Sequence, residues 1–126
     1  MSLSDALIKI TNLRLRTFIG FNPEERAKQQ DVVINIEIRY GLAPACLSDE
    51  VQAALDYKQI TKQVIRHVEE GRFLLLEKLV GDVLAICCEP EPVCHVRVRI
   101  DKPHALRFAD SVSLSLEWQR DQPSFS

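Results

Sequence analysis

Glu77 interrupts an otherwise apolar run, "LLLEKLVGD", in which Leu75, Leu76 and Leu79 surround it. A carboxylate near a helix N-terminus is electrostatically favoured, so one reading is a capping acid. The other is a ligand anchor, because a carboxylate accepts two parallel N–H bonds from the amidine-like edge of a heterocycle, the fork geometry it also offers arginine. Tyr57, in "ALDYKQIT", divides the same way: a core aromatic, or a phenol that stacks on a ring or passes a proton. Lys102 closes a strand on the side of Val98 and Ile100, where a charge is tolerated only at an open strand end. From there it can hold a water or shuttle a proton. Glu25, in "NPEERAKQQ", stands among so many charges that solvation is its default role.

A second feature follows Lys102 directly. The stretch "DKPHALRFADSVS" places Lys102, His104 and Arg107 within six positions of a chain whose net charge is -2. Such a cluster serves solubility at a surface turn, or it receives an anion. The charge balance gives no general attraction to nucleic acid, since basic residues are interleaved with apolar ones and form no block. Any anion site is therefore local.

These residues must be positioned by one domain. At 126 residues the chain suits a single core over residues 1–120, with 121–126 as a tail. An apolar fraction of 46% and a charged fraction of 27% are ordinary for globular proteins. No run approaches the roughly 18 to 20 apolar residues that cross a bilayer, and "MSLSDALIKI" lacks the plan of a signal peptide, so a cytoplasmic protein without membrane partners is expected. Cys46, Cys87, Cys88 and Cys94 show no CxxC spacing and read as reduced thiols. His67, His95 and His104 fall on different elements without HxH or HExxH spacing, so no metal is expected.

The elements follow from periodicity. Alternation from Ile8 to Ile19 changes parity at Thr11 and Asn12, which predicts a strand with a bulge. "VVINIEIRY" places Ile34, Ile36 and Ile38 on one face with Asn35, Glu37 and Arg39 on the other, a strand wetted on one side. Asp56 is a possible cap for a helix from about Tyr57 to Glu70, and a second helix is expected from about Phe73 to Cys88, stopped by "EPEP". "VCHVRVRI" and "SVSLSLEW" supply a second strand pair. The order ββααββ predicts an α+β domain: a four-stranded antiparallel sheet with two helices on its apolar face. Bare edge strands invite pairing with further copies.

The landmarks "TFIGFNPEE", "ALDYKQIT", "FLLLEKL" and "VRIDKP" resemble the dihydroneopterin aldolase and epimerase family over roughly residues 7 to 120. That resemblance implies the tunnelling fold, in which subunits close into a β-barrel as a tetrameric ring or octamer. It implies catalytic roles for Glu25, Tyr57 and Lys102, and pterin binding by Glu77, Leu76 and Tyr57, with no cofactor. Tyr57 would reach the site across a subunit interface. "HALRFADSVS" is most similar to the dihydroneopterin triphosphate 2′-epimerases, which implies inversion at carbon 2′ of a triphosphorylated dihydropterin. His104 and Arg107, with Arg14 or Arg16 of a neighbouring copy, are candidates for the phosphates. The alternative is the aldolase reaction of folate synthesis, releasing 6-hydroxymethyl-7,8-dihydropterin and glycolaldehyde. A non-catalytic pterin or purine binder is a third reading, against which Glu25, Tyr57 and Lys102 argue.

Overall fold

The computed structural model describes residues 3–121, so the expected tail lies, apart from Asp121, outside the described residues. Two long strands, β1 (Ala6–Ile19) and β2 (Gln30–Tyr40), are joined through a short helix α1 (Pro23–Ala27). Two single-turn 3-10 segments, Pro44–Ser48 and Val51–Ala53, lead to helix α2 (Tyr57–Glu70). A two-residue strand β3 (Arg72–Phe73) precedes helix α3 (Leu76–Cys88), and β4 (Val93–Pro103) and β5 (Ser111–Gln119) complete the chain.

The sheet order is β3-β1-β2-β4-β5. Four strands pair antiparallel as expected, and the fifth is the addition: β3 pairs parallel with the end of β1, setting Phe18 beside Arg72 and Ile19 beside Phe73. This shifts the expected start of α3 from Phe73 to Leu76, because Arg72 and Phe73 are extended in that pairing. The predicted bulge is present: the β1–β2 register shifts between Ile10 and Leu13, with Asn12 at φ 55 and its backbone N–H donating to Asn35 Oδ1 at 3.0 Å. Asparagine tolerates this left-handed conformation because its short polar side chain bonds locally.

The core lies between the apolar sheet face and the two longer helices. Ile34, Ile36 and Ile38 of β2 and Val96, Val98 and Ile100 of β4 are all within 1% of full burial, facing Val64, Val68, Leu79, Val80 and Val83. Each such side chain contributes about 1.5–3 kcal/mol through burial. The opposite face carries Lys9, Asn35, Glu37, Arg97 and Arg99, which line a shallow open groove. Asp56 caps α2 by accepting from the Gln59 N–H at 3.0 Å, and among the described residues no helix is long and apolar enough to cross a membrane.

Thr17 is the single polar side chain among the described residues that is fully buried. Its hydroxyl donates to the Val68 carbonyl at 2.6 Å and lies 3.3 Å from the Gly71 carbonyl, tying β1 to the end of α2. Orphan carbonyls at a helix end need such partners. Thr17→Val is expected to destabilise the protein by about 1–3 kcal/mol, the cost of a buried unsatisfied group, whereas Thr17→Ser retains the bond. Paired urea unfolding curves measure the difference.

Candidate active site

The functional end of the sheet is where β1 ends, β2 begins and β4 leaves the core. Glu25, expected in a loop, stands instead on α1, whose start Asn22 caps by accepting from the Glu25 N–H at 2.8 Å. That cap turns Glu25 back over Gly20. Gly20 sits at φ 123, and a methyl group on its Cα would fall on the Glu25 carboxylate, so only glycine allows this approach. Gln30 Nε2 donates to the Ile19 carbonyl and lies 3.5 Å from Glu25 Oε2, closing the other side.

Lys102 meets this carboxylate. It continues the inward-facing series Val98 and Ile100, and its Nζ donates to Glu25 Oε2 at 2.8 Å. Lys102 and Glu25 side chains are 13% and 24% exposed, so the contact is sheltered yet open to a ligand. The hydrogen bond from Lys102 is the largest influence on the Glu25 carboxyl and holds its pKa below the ordinary value, against an opposing desolvation effect.

Leu76 and Glu77 share this end of the molecule. The Gly20 N–H donates to the Phe73 carbonyl at 2.9 Å, which anchors the segment leading into α3 beside the Glu25 turn. Leu76 is half-buried at the core margin, and Glu77 is exposed in the first turn of α3. Among the described residues Glu77 makes no ion pair and no side-chain hydrogen bond, so its carboxylate is available as an acceptor rather than spent as a cap.

Tyr57 is elsewhere. It opens α2 with 48% of its surface exposed, which excludes the core-aromatic reading. Its neighbour Asp56 lines one groove with Ile86, Glu89 and Pro92, at the end where β4 begins. Lys102 is nine residues further along that strand, on the order of 30 Å at the rise of an extended chain. One chain therefore brings Glu25 and Lys102 into contact, sets the segment leading to Leu76 and Glu77 beside the Glu25 turn, and leaves Tyr57 apart.

His104 and Arg107 occupy the β4–β5 turn, where residues 104–110 are all exposed. His104 adopts φ 65, the left-handed region, and its N–H reaches the Asp110 carbonyl at 3.5 Å. Asn12 and Asp49 are the other non-glycine residues there among those described, and all three are of types that visit this region more often than most. The Arg107 guanidinium lies 5.3 Å from the ring centre of Phe108. Arg16 pairs with Asp31 at 3.2 Å on the helix-free face. Burial pushes the Cys87 and Cys88 thiols up to about 12 and about 11, so both are inert near neutrality.

A two-layer α+β domain, with its helices on one face of the sheet and a sheltered Glu25–Lys102 pair at one end, sets the class of protein, and the comparisons name the family. The family model for dihydroneopterin aldolase (FolB) matches residues 8–117, and the chain belongs to that family. It is 54% identical over 115 residues to the dihydroneopterin triphosphate 2′-epimerase of Escherichia coli (strain K12), covering 91% of this chain and 96% of that protein. It is 31% identical over 111 residues to the dihydroneopterin aldolase of the same strain, covering 88% and 91%. The crystal structure of E. coli dihydroneopterin aldolase in complex with neopterin superposes with a TM-score of 0.83 at 30% identity, covering 90% and 98%. The tunnelling fold is thereby established.

The Glu25 shift predicts a pH signature. A carboxyl whose folded pKa is depressed stabilises the protein above its unfolded value, near 4.5, and that contribution is lost as pH falls through the lower folded value. Wild type is expected to lose more stability than Glu25→Gln between pH 6 and pH 3. Chemical denaturation at the two pH values measures it, and equal losses would contradict the pairing.

Proposed function

We propose that this chain is a dihydroneopterin triphosphate 2′-epimerase, converting 7,8-dihydroneopterin triphosphate to dihydromonapterin triphosphate. The observation that carries the reading is the sheltered Glu25–Lys102 contact at 2.8 Å, supported by 54% identity to an epimerase against 31% to an aldolase. Glu77 accepts the amidine-like edge of the pterin with Leu76 against the ring, and the reacting side chain lies toward Lys102.

The chemistry needs no electron sink from the protein. In a 7,8-dihydropterin the ring imine adjoins carbon 1′. Removal of the 2′-hydroxyl proton lets the bond between carbons 1′ and 2′ break, its electron pair passing into the ring, where the imine nitrogen takes a proton. Lys102, through a water, is assigned the hydroxyl proton, and Tyr57 the ring nitrogen. Glu25 orients that water and the side-chain hydroxyls. An epimerase lets the aldehyde turn over its carbonyl face and rejoin carbon 1′; an aldolase protonates carbon 1′ and lets the aldehyde go. Rejoining needs the fragment held, and His104 and Arg107 are assigned to its phosphates by charge-assisted hydrogen bonds.

Tyr57 completes the site only from another copy, since its own Lys102 is on the order of 30 Å away. A homo-oligomer of the ring type, with pterin bound between subunits and no cofactor, is the proposed working form. The aldolase reaction is the second reading, because its first half uses the same residues. Chromatography of products from dihydroneopterin triphosphate separates the two: an epimerised side chain with little free 6-hydroxymethyl-7,8-dihydropterin is expected. Release of the latter as the main product would make the chain an aldolase.

A further inference from the structure

Beside the Glu25 turn is a recess of about 110 Å³ lined by Phe18, Gly20, Arg26, Arg72, Phe73 and Leu74. At about 30 Å³ per water it has room for three to four waters, or for one small oxyanion. Its polar side chains are two arginines. Among the described residues neither makes an ion pair. Arg72 is held in place, its guanidinium stacked 3.8 Å over the Phe18 ring, at the register position where β3 pairs with β1. Stacking occupies the guanidinium face and leaves its N–H edge free for a bidentate acceptor. Arg26 follows Glu25 on α1, whose carboxylate is turned away over Gly20 toward Lys102. Gly20 belongs to both places: it underlies that carboxylate and lines the recess.

We propose that this recess is an oxyanion subsite in which Arg26 and Arg72 receive the distal phosphates of the substrate. The assignment of the oxyanion to a triphosphate rests on the epimerase reading; the affinity for a phosphate chain does not. A triphosphate carries about four negative charges near neutrality, nearly two of them on the terminal group. His104 and Arg107 match at most two of these, and Lys102 already faces Glu25. Two further guanidiniums on the other flank of the Glu25 turn supply the remainder. The two flanks then hold the phosphorylated fragment at separate points, which permits rotation about its carbonyl carbon without escape.

Inorganic tripolyphosphate is the probe, titrated calorimetrically against wild type, Arg26→Ala, Arg72→Ala and Arg72→Lys. Both alanine variants are expected to bind it about tenfold or more weakly, with Arg72→Lys intermediate because charge remains but the stacked fork is lost. The KM ratio of triphosphorylated to unphosphorylated dihydroneopterin rises in parallel. Wild-type affinity in both alanine variants, or equal KM changes for the two substrates, overturns the subsite. Failure of the epimerase reading would appear instead as absent epimerised product from wild type while tripolyphosphate binding still depends on Arg26 and Arg72.

Discussion

A single sheltered contact between residues 77 apart in sequence, Glu25 and Lys102, organises the functional end of this molecule. Much of the local sequence serves it. Asn22 caps the short helix that turns Glu25 back, Gly20 vacates the space the carboxylate needs, and Gln30 closes the far side. Lys102 arrives by strand parity, two residues beyond Ile100, where the core ends and a charge becomes tolerable. The pair is sheltered enough to fix the two side chains relative to each other and open enough to meet a ligand. A fixed donor and acceptor cost little reorganisation when charge develops, which is the usual source of electrostatic catalysis.

Much of the fold was legible because its elements are strongly periodic. The bulge at Asn12 announced itself as a parity change, Asp56 as a cap, and the two helices as apolar stripes between strand pairs. What stayed hidden lacked periodicity. Strand β3 is two residues long and is defined by its partner, Phe18 and Ile19, not by its own pattern. Helix α1 is five residues, too short for a stripe, although Asn22 followed by Pro23 was its readable signal.

The candidate residues divide similarly. Glu25, Leu76, Glu77 and Lys102 were named from motifs, and the contact between Glu25 and Lys102 is a product of long-range register that no local pattern states. Arg26 and Arg72 were not singled out at all. Arg26 is hidden within a charge-rich segment, and Arg72 acquires its orientation only by stacking on a residue 54 positions away. The backbone of His104 was equally unreadable, since φ follows from the closure of the β4–β5 turn.

Tyr57 and Lys102 stand toward opposite ends of the molecule. One exposes Leu47, Val51 and Tyr57; the other exposes Phe21, Leu74 and Leu75 around the Glu25–Lys102 pair. Apolar surface at both ends of a subunit suits head-to-tail contacts that close into a ring. The direct test mixes Tyr57→Phe and Lys102→Met, each expected to be inactive alone, after dissociating and reassociating the subunits. With sites shared between copies, random mixing restores about one quarter of them, so activity should reappear well above either parent. Mixtures no more active than the parents, despite confirmed subunit exchange, would contradict a site built from two chains.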